Sequence, residues 1–478
     1  KTIVSPNSLS RFIDFPWTQI ISSDLPIEGT FDINLSDQPT KLEITSTMEG
    51  VALNLPKPFG KSAQEAEALN MQFYFEPNLA RLQGSFGEML KADFYFANKK
   101  FEKGRLIYDR IPEPPLENNQ LLVAVNLPTI ELDSWNPLID MLQISQKNKA
   151  SSWETVFDFE FDYLEMAGVN LKNINAQIRA LQEGFNITFD SDLASGQIIM
   201  PWGQQQLPII DLTSLKLSKN MFQQSSQNQQ VDPRRFTSLD FAVEQLKVEE
   251  KELGSLSFEL RQEPSGAAFN NISGDLLGVQ PGIFDSEAPI EFFWGYDGIQ
   301  HMSKLVGPLG VTNFADFMDG LSIPKFLDSE SGKLELNLSW QAEPWAISKE
   351  TIQGNVRVNL EDGSFYRSSG GAEATLKVIS LFNFANWLRR LQLDFSDVVG
   401  KNLAYNKLDA FLSFDKGVLS LNEPLNIDMP SGKMSMGGEF DLVQQTVDAK
   451  LVATQILEKL SANAGDIDRQ KRKDLIHQ

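Results

Sequence analysis

Cysteine is absent from this chain of 478 residues, and histidine occurs only twice, at His301 and His477. The sequence therefore has no disulfide framework, no thiol nucleophile and no thiolate metal site. Two histidines are too few for most zinc sites or for Ser/His/Asp chemistry. No H-E-x-x-H, G-x-S-x-G or G-x-G-x-x-G motif occurs, and no apolar run is long enough to span a bilayer. These absences argue against an enzyme, and we expect no cofactor and no metal ion.

Basic side chains are also scarce, because 42 Lys and Arg stand against 64 Asp and Glu, which gives a formal net charge of −22. Such a balance keeps a large protein soluble and argues against binding to a nucleic-acid backbone. Tyrosine is rare as well, with 7 residues beside 33 phenylalanines. Phenylalanine has no polar tip, so this bias favours a dry apolar surface over a wet binding cleft.

What the chain does contain is alternation between apolar and polar residues with a period of two. The pattern is clearest in residues 354–454, where it recurs in short runs separated by turns such as 361–363 and 415–417. A period of two gives each strand one apolar and one polar face. Turns this short make successive strands antiparallel neighbours.

We therefore predict a mostly β fold, a long twisted antiparallel meander curled into an open groove with an apolar interior and a few short helices. Its segments are residues 1–145, 153–222, 234–345 and 346–455, which form one continuous groove followed by a polar tail, 456–478. Short helices are expected at 134–142 and around 313–321. A longer helix is expected at 372–391, which lacks Gly and Pro and carries apolar residues on one arc.

The predicted groove lining consists of the apolar positions of the alternating strands. These are Phe31, Ile33, Leu35, Leu53, Leu55, Met71, Phe73, Phe75, Phe157, Phe159, Phe161, Phe185, Ile187, Phe189, Phe258, Leu336, Leu338, Val356, Val358, Leu360, Leu412, Ile427 and Met436. The helix at 372–391 is predicted to cap the groove or to touch a membrane, through Val378, Leu381, Phe382, Trp387, Leu388, Arg389 and Arg390.

Other interpretations of these residues remain open at this point. The alternating apolar residues could fill a closed sandwich core, and Arg389 and Arg390 could be solvated or paired with Asp394 and Asp397. A closed membrane barrel would turn its apolar face toward lipid, which the helices at scattered turns disfavour. Asp158, Glu160 and Asp162 share a strand face and could hold Ca²⁺, but a solvated outer face is much the better interpretation. Residues 60–62, Gly-Lys-Ser, end like a phosphate-binding loop but lack its first glycine, so we interpret them as a plain loop.

Several stretches resemble a known family. Residues 360–365 (L-E-D-G-S-F), 388–398 (L-R-R-L-Q-L-D-F-S-D-V) and 437–442 (G-G-E-F-D-L) are similar to the C-terminal signature of the YhdP-type AsmA-like proteins. Residues 55–61, 127–135, 191–196 and 232–234 match further family motifs in the same order. The resemblance covers most of the chain and relates it to bridge-like lipid-transfer proteins.

The resemblance implies an envelope protein of Gram-negative bacteria that is anchored in the inner membrane by an N-terminal helix not present in this sequence. It implies a β-groove across the periplasm that moves phospholipid toward the outer membrane, which it would meet near its C-terminus. Arg389 and Arg390 would then lie near lipid phosphates. The alternative is a structural envelope protein, or an outer-membrane assembly factor, that binds a protein partner in the groove by strand addition.

Overall fold

The computed structural model describes residues 2–9, 17–33, 39–111, 113–130, 134–135, 153–166, 169–181, 183–203, 206–218, 231–281, 289–316, 327–365, 403–430, 432–444 and 446–455. These residues are mostly β-structure, which confirms the predicted fold class. The chain divides into two compact units, residues 1–213 and 214–478.

In its described residues, the first unit has the short helices α1 (Pro6–Leu9) and α2 (Trp17–Ile20) ahead of its main run of strands. Its strands are β1 (Thr2–Val4), β2 (Leu25–Asp32), β3 (Thr40–Ser46), β4 (Leu69–Phe75), β5 (Leu79–Phe86), β6 (Leu90–Ala97), β7 (Lys100–Tyr108), β8 (Gln120–Ile130), β9 (Glu154–Met166), β10 (Val169–Ala180), β11 (Gly184–Asp190), β12 (Ala194–Pro201) and β13 (Ile209–Leu217), the last of which runs past the unit boundary.

The second unit begins with a 3-10 helix at Pro233–Arg235, which Asp232 caps by accepting a hydrogen bond from the backbone N–H of Arg234. Its strands are β14 (Leu239–Val248), β15 (Lys251–Glu263), β16 (Gly266–Leu276), β17 (Val279–Pro281), β18 (Ile290–Tyr296), β19 (His301–Val311), β20 (Leu327–Trp340), β21 (Gln353–Phe365), β22 (Leu403–Asp415), β23 (Val418–Met429), β24 (Gly432–Asp441) and β25 (Thr446–Gln455).

Most neighbouring strands are consecutive in sequence and antiparallel, as the short turns predicted. The predicted turn at 415–417 does separate β22 from β23, but the one predicted at 361–363 is wrong, because these residues lie within β21 and pair with β20 and β22. The sheet is nevertheless mixed, because β8 pairs in parallel with both β7 and β9. After β7, residues 109–111 and 113–119 lead the chain back toward the start of that strand, so β8 runs parallel to β7. Arg105 on β7 holds this crossover by donating to the carbonyl oxygen of Pro114 at 2.8 Å and to the Glu113 carboxylate at 2.8 Å. The alternation of apolar and polar residues within strands could not predict the parallel pairing of β8. The curling of the sheet into a groove remains a prediction.

The predicted helices lie mostly or wholly outside the described residues. Ser134 and Trp135 are helical, as are residues 314–316, but the rest of both predicted short helices is not described. The predicted helix at 372–391 and the polar tail, 456–478, fall outside entirely. In the described part of the chain, no helix has the length and hydropathy of a membrane span.

The largest packed cluster lies in the second unit, around β21 to β24. Tyr405 is 2% exposed there, and its hydroxyl donates to the carbonyl oxygen of Asp328 at 2.7 Å. Gly363 makes room for this contact, because a Cβ at that position would lie 2.3 Å from the Tyr405 hydroxyl. Burial raises the pKa of Tyr405 to about 12. The neutral phenol is therefore built into the core of this part of the sheet.

Replacing Tyr405 with Phe should lower the free energy of unfolding by about 1 kcal/mol near neutral pH, because a buried hydrogen bond is lost. The wild-type chain should lose further stability between pH 10 and pH 12. An unfolded tyrosine ionises near pH 10, whereas the folded one stays neutral to about 12, so the contribution is complete below pH 10 and disappears as pH rises. The free energy of unfolding, measured with urea at each pH, should fall less steeply with pH in the Tyr405→Phe variant than in the wild type. An equal pH dependence in the two proteins would contradict the raised pKa of Tyr405.

Candidate functional site

Direct cross-strand partners point their side chains to the same side of a sheet, so the registers identify the residues that share a face. In the first unit, one face is apolar on every strand from β2 to β12; we call it the apolar face of this unit. It carries, in strand order, Phe31, Leu42, Ile44, Met71, Phe73, Phe75, Leu82, Phe94, Leu106, Val123, Val125, Phe157, Phe159, Phe161, Ile174, Ile178, Phe185, Ile187, Phe189 and Ile198.

Most of these side chains are only partly buried. Phe31 is 55% exposed and Phe75 is 40% exposed, whereas residues of a closed core would be almost inaccessible. Phenylalanine rings stack along the face, with centroids of Phe157 and Phe159 at 6.0 Å and those of Phe159 and Phe161 at 5.5 Å. The result is a half-exposed apolar strip that crosses the strands.

An equivalent apolar face runs through the second unit, and there it forms a ladder of aromatic rings. Ring centroids are separated by 4.8 Å between Phe241 and Phe258, by 5.3 Å between Phe258 and Phe269, and by 5.5 Å between Phe269 and Phe292. Cross-strand pairing then continues the face through the predicted residues Leu336, Leu338, Val356, Val358 and Leu412. The prediction included Phe258 but missed Phe241, Phe269 and Phe292; the high phenylalanine count was the available signal.

The exposure of this second face falls toward its C-terminal strands. Leu360, Ile427 and Met436 are each about 1% exposed and belong to the packed cluster around β21 to β24. They lie on the predicted face, but their side chains are packed as in a protein core. The half-exposed part of the face therefore lies on β14 to β20, as far as the described residues extend.

The opposite face of the first unit is mixed. It carries paired charges and, on β7 to β9, a small buried apolar cluster of Ile107, Leu122, Ala124 and Val156. Arg81 forms a bidentate pair with Asp93 through bonds of 2.8 and 2.9 Å, and Asp93 is only 8% exposed. Arg110 pairs with both Asp158 and Glu160. Two of the three carboxylates considered for Ca²⁺ are thus neutralised by an arginine, and the described residues contain no group of three potential metal ligands. The Asp158 and Glu160 carboxylates are thus engaged in ion pairs with Arg110.

Three predicted lining residues, Leu53, Leu55 and Ile33, do not lie on a strand of the apolar face. Leu53 and Leu55 were expected to be on a strand, but residues 47–62 form an ordered loop, and both side chains pack with Ile20, Met48 and Val51. Ile33 follows the end of β2 and is 67% exposed. Leu35 lies outside the described residues, as do Val378, Leu381, Phe382, Trp387, Leu388, Arg389 and Arg390.

Lys61 anchors this loop. Its ammonium group donates to three carbonyl oxygens, of Met48 at 2.9 Å, of Val51 at 2.5 Å and of Ser62 at 3.0 Å. The backbone of Lys61 pairs with that of Leu53. At Gly60 a Cβ would lie 1.9 Å from the Leu55 carbonyl oxygen, so only glycine fits. The Gly-Lys-Ser sequence thus stabilises a loop, and its ammonium group is already occupied by main-chain oxygens.

Comparison with known proteins agrees with the sequence resemblance. A family model described as "YhdP protein" matches residues 1–465. The "Intermembrane phospholipid transporter YhdP" of Escherichia coli (strain K12) is 20% identical over 488 residues, which cover 97% of this chain and 36% of that protein. The chain thus spans about a third of the relative's length. No protein of solved structure matches it.

Replacing Lys61 with Met should loosen the loop, because three carbonyl oxygens lose a charged donor. Hydrogen bonds to charged groups contribute about 1.5–3 kcal/mol, so amide exchange at Leu53, Asn54 and Gly60 should accelerate about tenfold to a hundredfold. Hydrogen-exchange mass spectrometry measures this directly. Lys57→Met is the matched control, because Lys57 is exposed in the same loop and should leave exchange unchanged. Equal effects of the two substitutions would show that Lys61 does not anchor the loop.

Proposed function

This chain belongs to the YhdP family, and we propose that it carries the acyl chains of phospholipids along its apolar faces as part of a longer intermembrane transporter. The observation that supports this most directly is the half-exposed apolar strip on β2 to β12. The named relative is a phospholipid transporter, which supports lipid as the guest. The proposed role is non-enzymatic.

Physical chemistry explains why such a strip suits this task. Exposing a sixteen-carbon chain to water costs about 12 kcal/mol, at about 0.8 kcal/mol per methylene. An apolar surface that continues from strand to strand removes most of this cost at every point along the route. Because the contacts are non-directional, a tail can move sideways without breaking specific bonds.

The headgroups would stay in water at the edge of the strip, where the strands end. Selectivity among headgroups should therefore be weak, since the apolar face contacts only hydrocarbon. In this proposal the protein acts in the periplasm of a Gram-negative bacterium and connects the inner and outer membranes.

Unlike residues of a closed core, the exposed phenylalanines have room for a guest. Phe31 and Phe75 are large, apolar and in contact with solvent, which is unfavourable unless something apolar covers them in use. Phospholipid tails are the guest that the family relationship favours. Contacts with hydrocarbon tails are weak and non-directional, so they require no tightly shaped pocket.

Replacing Ile187 with Asp in the full-length protein should block transfer, because a charge on the apolar face forces the tail to cross a desolvated carboxylate. Thr188→Asp is the matched control, since Thr188 is the next residue on β11 and faces the opposite side of the sheet. Pulse-labelled phospholipid reaching the outer membrane should fall severalfold in the first variant only. Phe159→Asp and Leu336→Asp extend the test to half-buried lining residues on β9 and β20. Normal delivery in the Ile187 variant would contradict movement along this face.

A further inference from the structure

The loop at residues 47–62 lies on the apolar face of the first unit. Leu69 and Phe86, at the start of β4 and the end of β5, belong to that face by their pairing. Both pack against the buried cluster of Ile20, Ile21, Met48 and Val51, which the loop and α2 provide. The loop therefore covers one border of the apolar face, where β4 begins and β5 ends.

Phe59 extends this cover across the middle of the face. Its ring lies 4.8 Å from that of Tyr108 at the end of β7 and meets the ring of Trp135 edge-on at 5.6 Å. It also packs against the cluster that contains Val125 and Phe161. Burial raises the pKa of Tyr108, in agreement with an enclosed ring. Three aromatic rings thus meet over β7 to β9, between the exposed surface of β2 to β5 and that of β10 to β12.

The loop is built to hold the ring in this place. The backbone N–H groups of Phe59 and Gly60 both donate to the Pro56 carbonyl oxygen, at 3.0 and 3.1 Å. The backbone N–H of Asn54 donates to the carbonyl oxygen of Ile20 in α2 at 2.8 Å, and the ammonium group of Lys61 donates to three carbonyl oxygens. A loop that only connected two strands would not need this number of internal bonds. The sequence placed residues 55–61 in a family motif and predicted Leu55 as a lining residue, but it gave no role to Phe59.

We infer that Phe59 is a constriction on the lipid route, a ring held against Tyr108 and Trp135 that a passing acyl chain must displace. The inference rests on the proposed function, because it places the constriction on the same apolar face. A ring in van der Waals contact with the face occupies area that a tail would use. The size of the side chain at position 59 should therefore set the rate of passage at this point without changing lipid binding elsewhere.

The test follows labelled phospholipid past Phe59 in cells that make the full-length protein. A photo-crosslinking amino acid at Phe73 on β4, or at Ile187 on β11, reports lipid on either side of the constriction. After a pulse of radioactive phosphate, the measured quantity is the delay between labelled lipid at one position and at the other. Phe59→Ala should shorten this delay severalfold, Phe59→Leu less so, and Phe59→Trp should lengthen it.

Lys57→Ala is the matched control. Lys57 is exposed in the same loop as Phe59 and is not a lining residue. Its truncation leaves the ring of Phe59 in place and should leave the delay unchanged. Thermal unfolding of every variant distinguishes an effect on lipid passage from an effect on stability. If Phe59 had a purely structural role, the delay would change with the loss of stability in both Phe59→Ala and Phe59→Trp.

Two results would overturn the inference, and they have different consequences for the proposed function. Crosslinks at both positions with a delay that is independent of side-chain size at residue 59 would reject the constriction and leave lipid transport intact. No lipid crosslink at either position in the parent protein would reject the proposed function, and the constriction with it.

Discussion

Cross-strand pairing in register is the constraint on which the rest of this molecule depends. Because paired residues share a face, strands with alternating sequence place their apolar side chains on one side of the sheet. A slip of one residue in the register of a strand would move its apolar side chains to the other side. Arg81 and Asp93 illustrate the cost of such a slip. Their bidentate pair on the opposite face would have to enter the surface that now carries Phe73 and Phe94. The hydrophobic surface and the paired charges therefore enforce the same register from opposite sides.

A sheet sorted in this way gains only part of the free energy that burial offers. In the first unit, Phe161 is buried, but rings such as those of Phe31 and Phe75 are left partly open to solvent. In the second unit, Ile427 and Met436 lose nearly all contact with solvent. The difference is the one expected between a surface kept for a guest and a core packed by the protein itself. The same period-two pattern produces both, so burial and not pattern separates candidate transport surface from core.

The distinction between pattern and burial explains which features of the structure could be predicted from the sequence. Alternation correctly assigned Phe157, Phe159 and Phe161, and likewise Phe185, Ile187 and Phe189, to single faces of their strands, because side-chain direction follows directly from backbone geometry. It failed at Leu53 and Leu55, where Ile21, Met48 and Lys61 organise an ordered loop through long-range contacts that no local pattern encodes. It also could not foresee the parallel strand β8, which depends on how residues 109–111 and 113–119 cross the face opposite the apolar one. Pairing between distant residues decides both cases.

Under the proposed function, the preference for phenylalanine over tyrosine has a physical reason. A tyrosine in a dry environment needs a partner for its hydroxyl, as Tyr405 shows by binding the Asp328 carbonyl oxygen and keeping its proton to a pKa of about 12. A guest made of hydrocarbon offers no such partner, so each tyrosine on the route would add a polar group to desolvate at every passage. Phe241, Phe258 and Phe269 form a continuous ladder without that penalty. A surface over which hydrocarbon slides should be uniform as well as apolar, and phenylalanine meets both conditions.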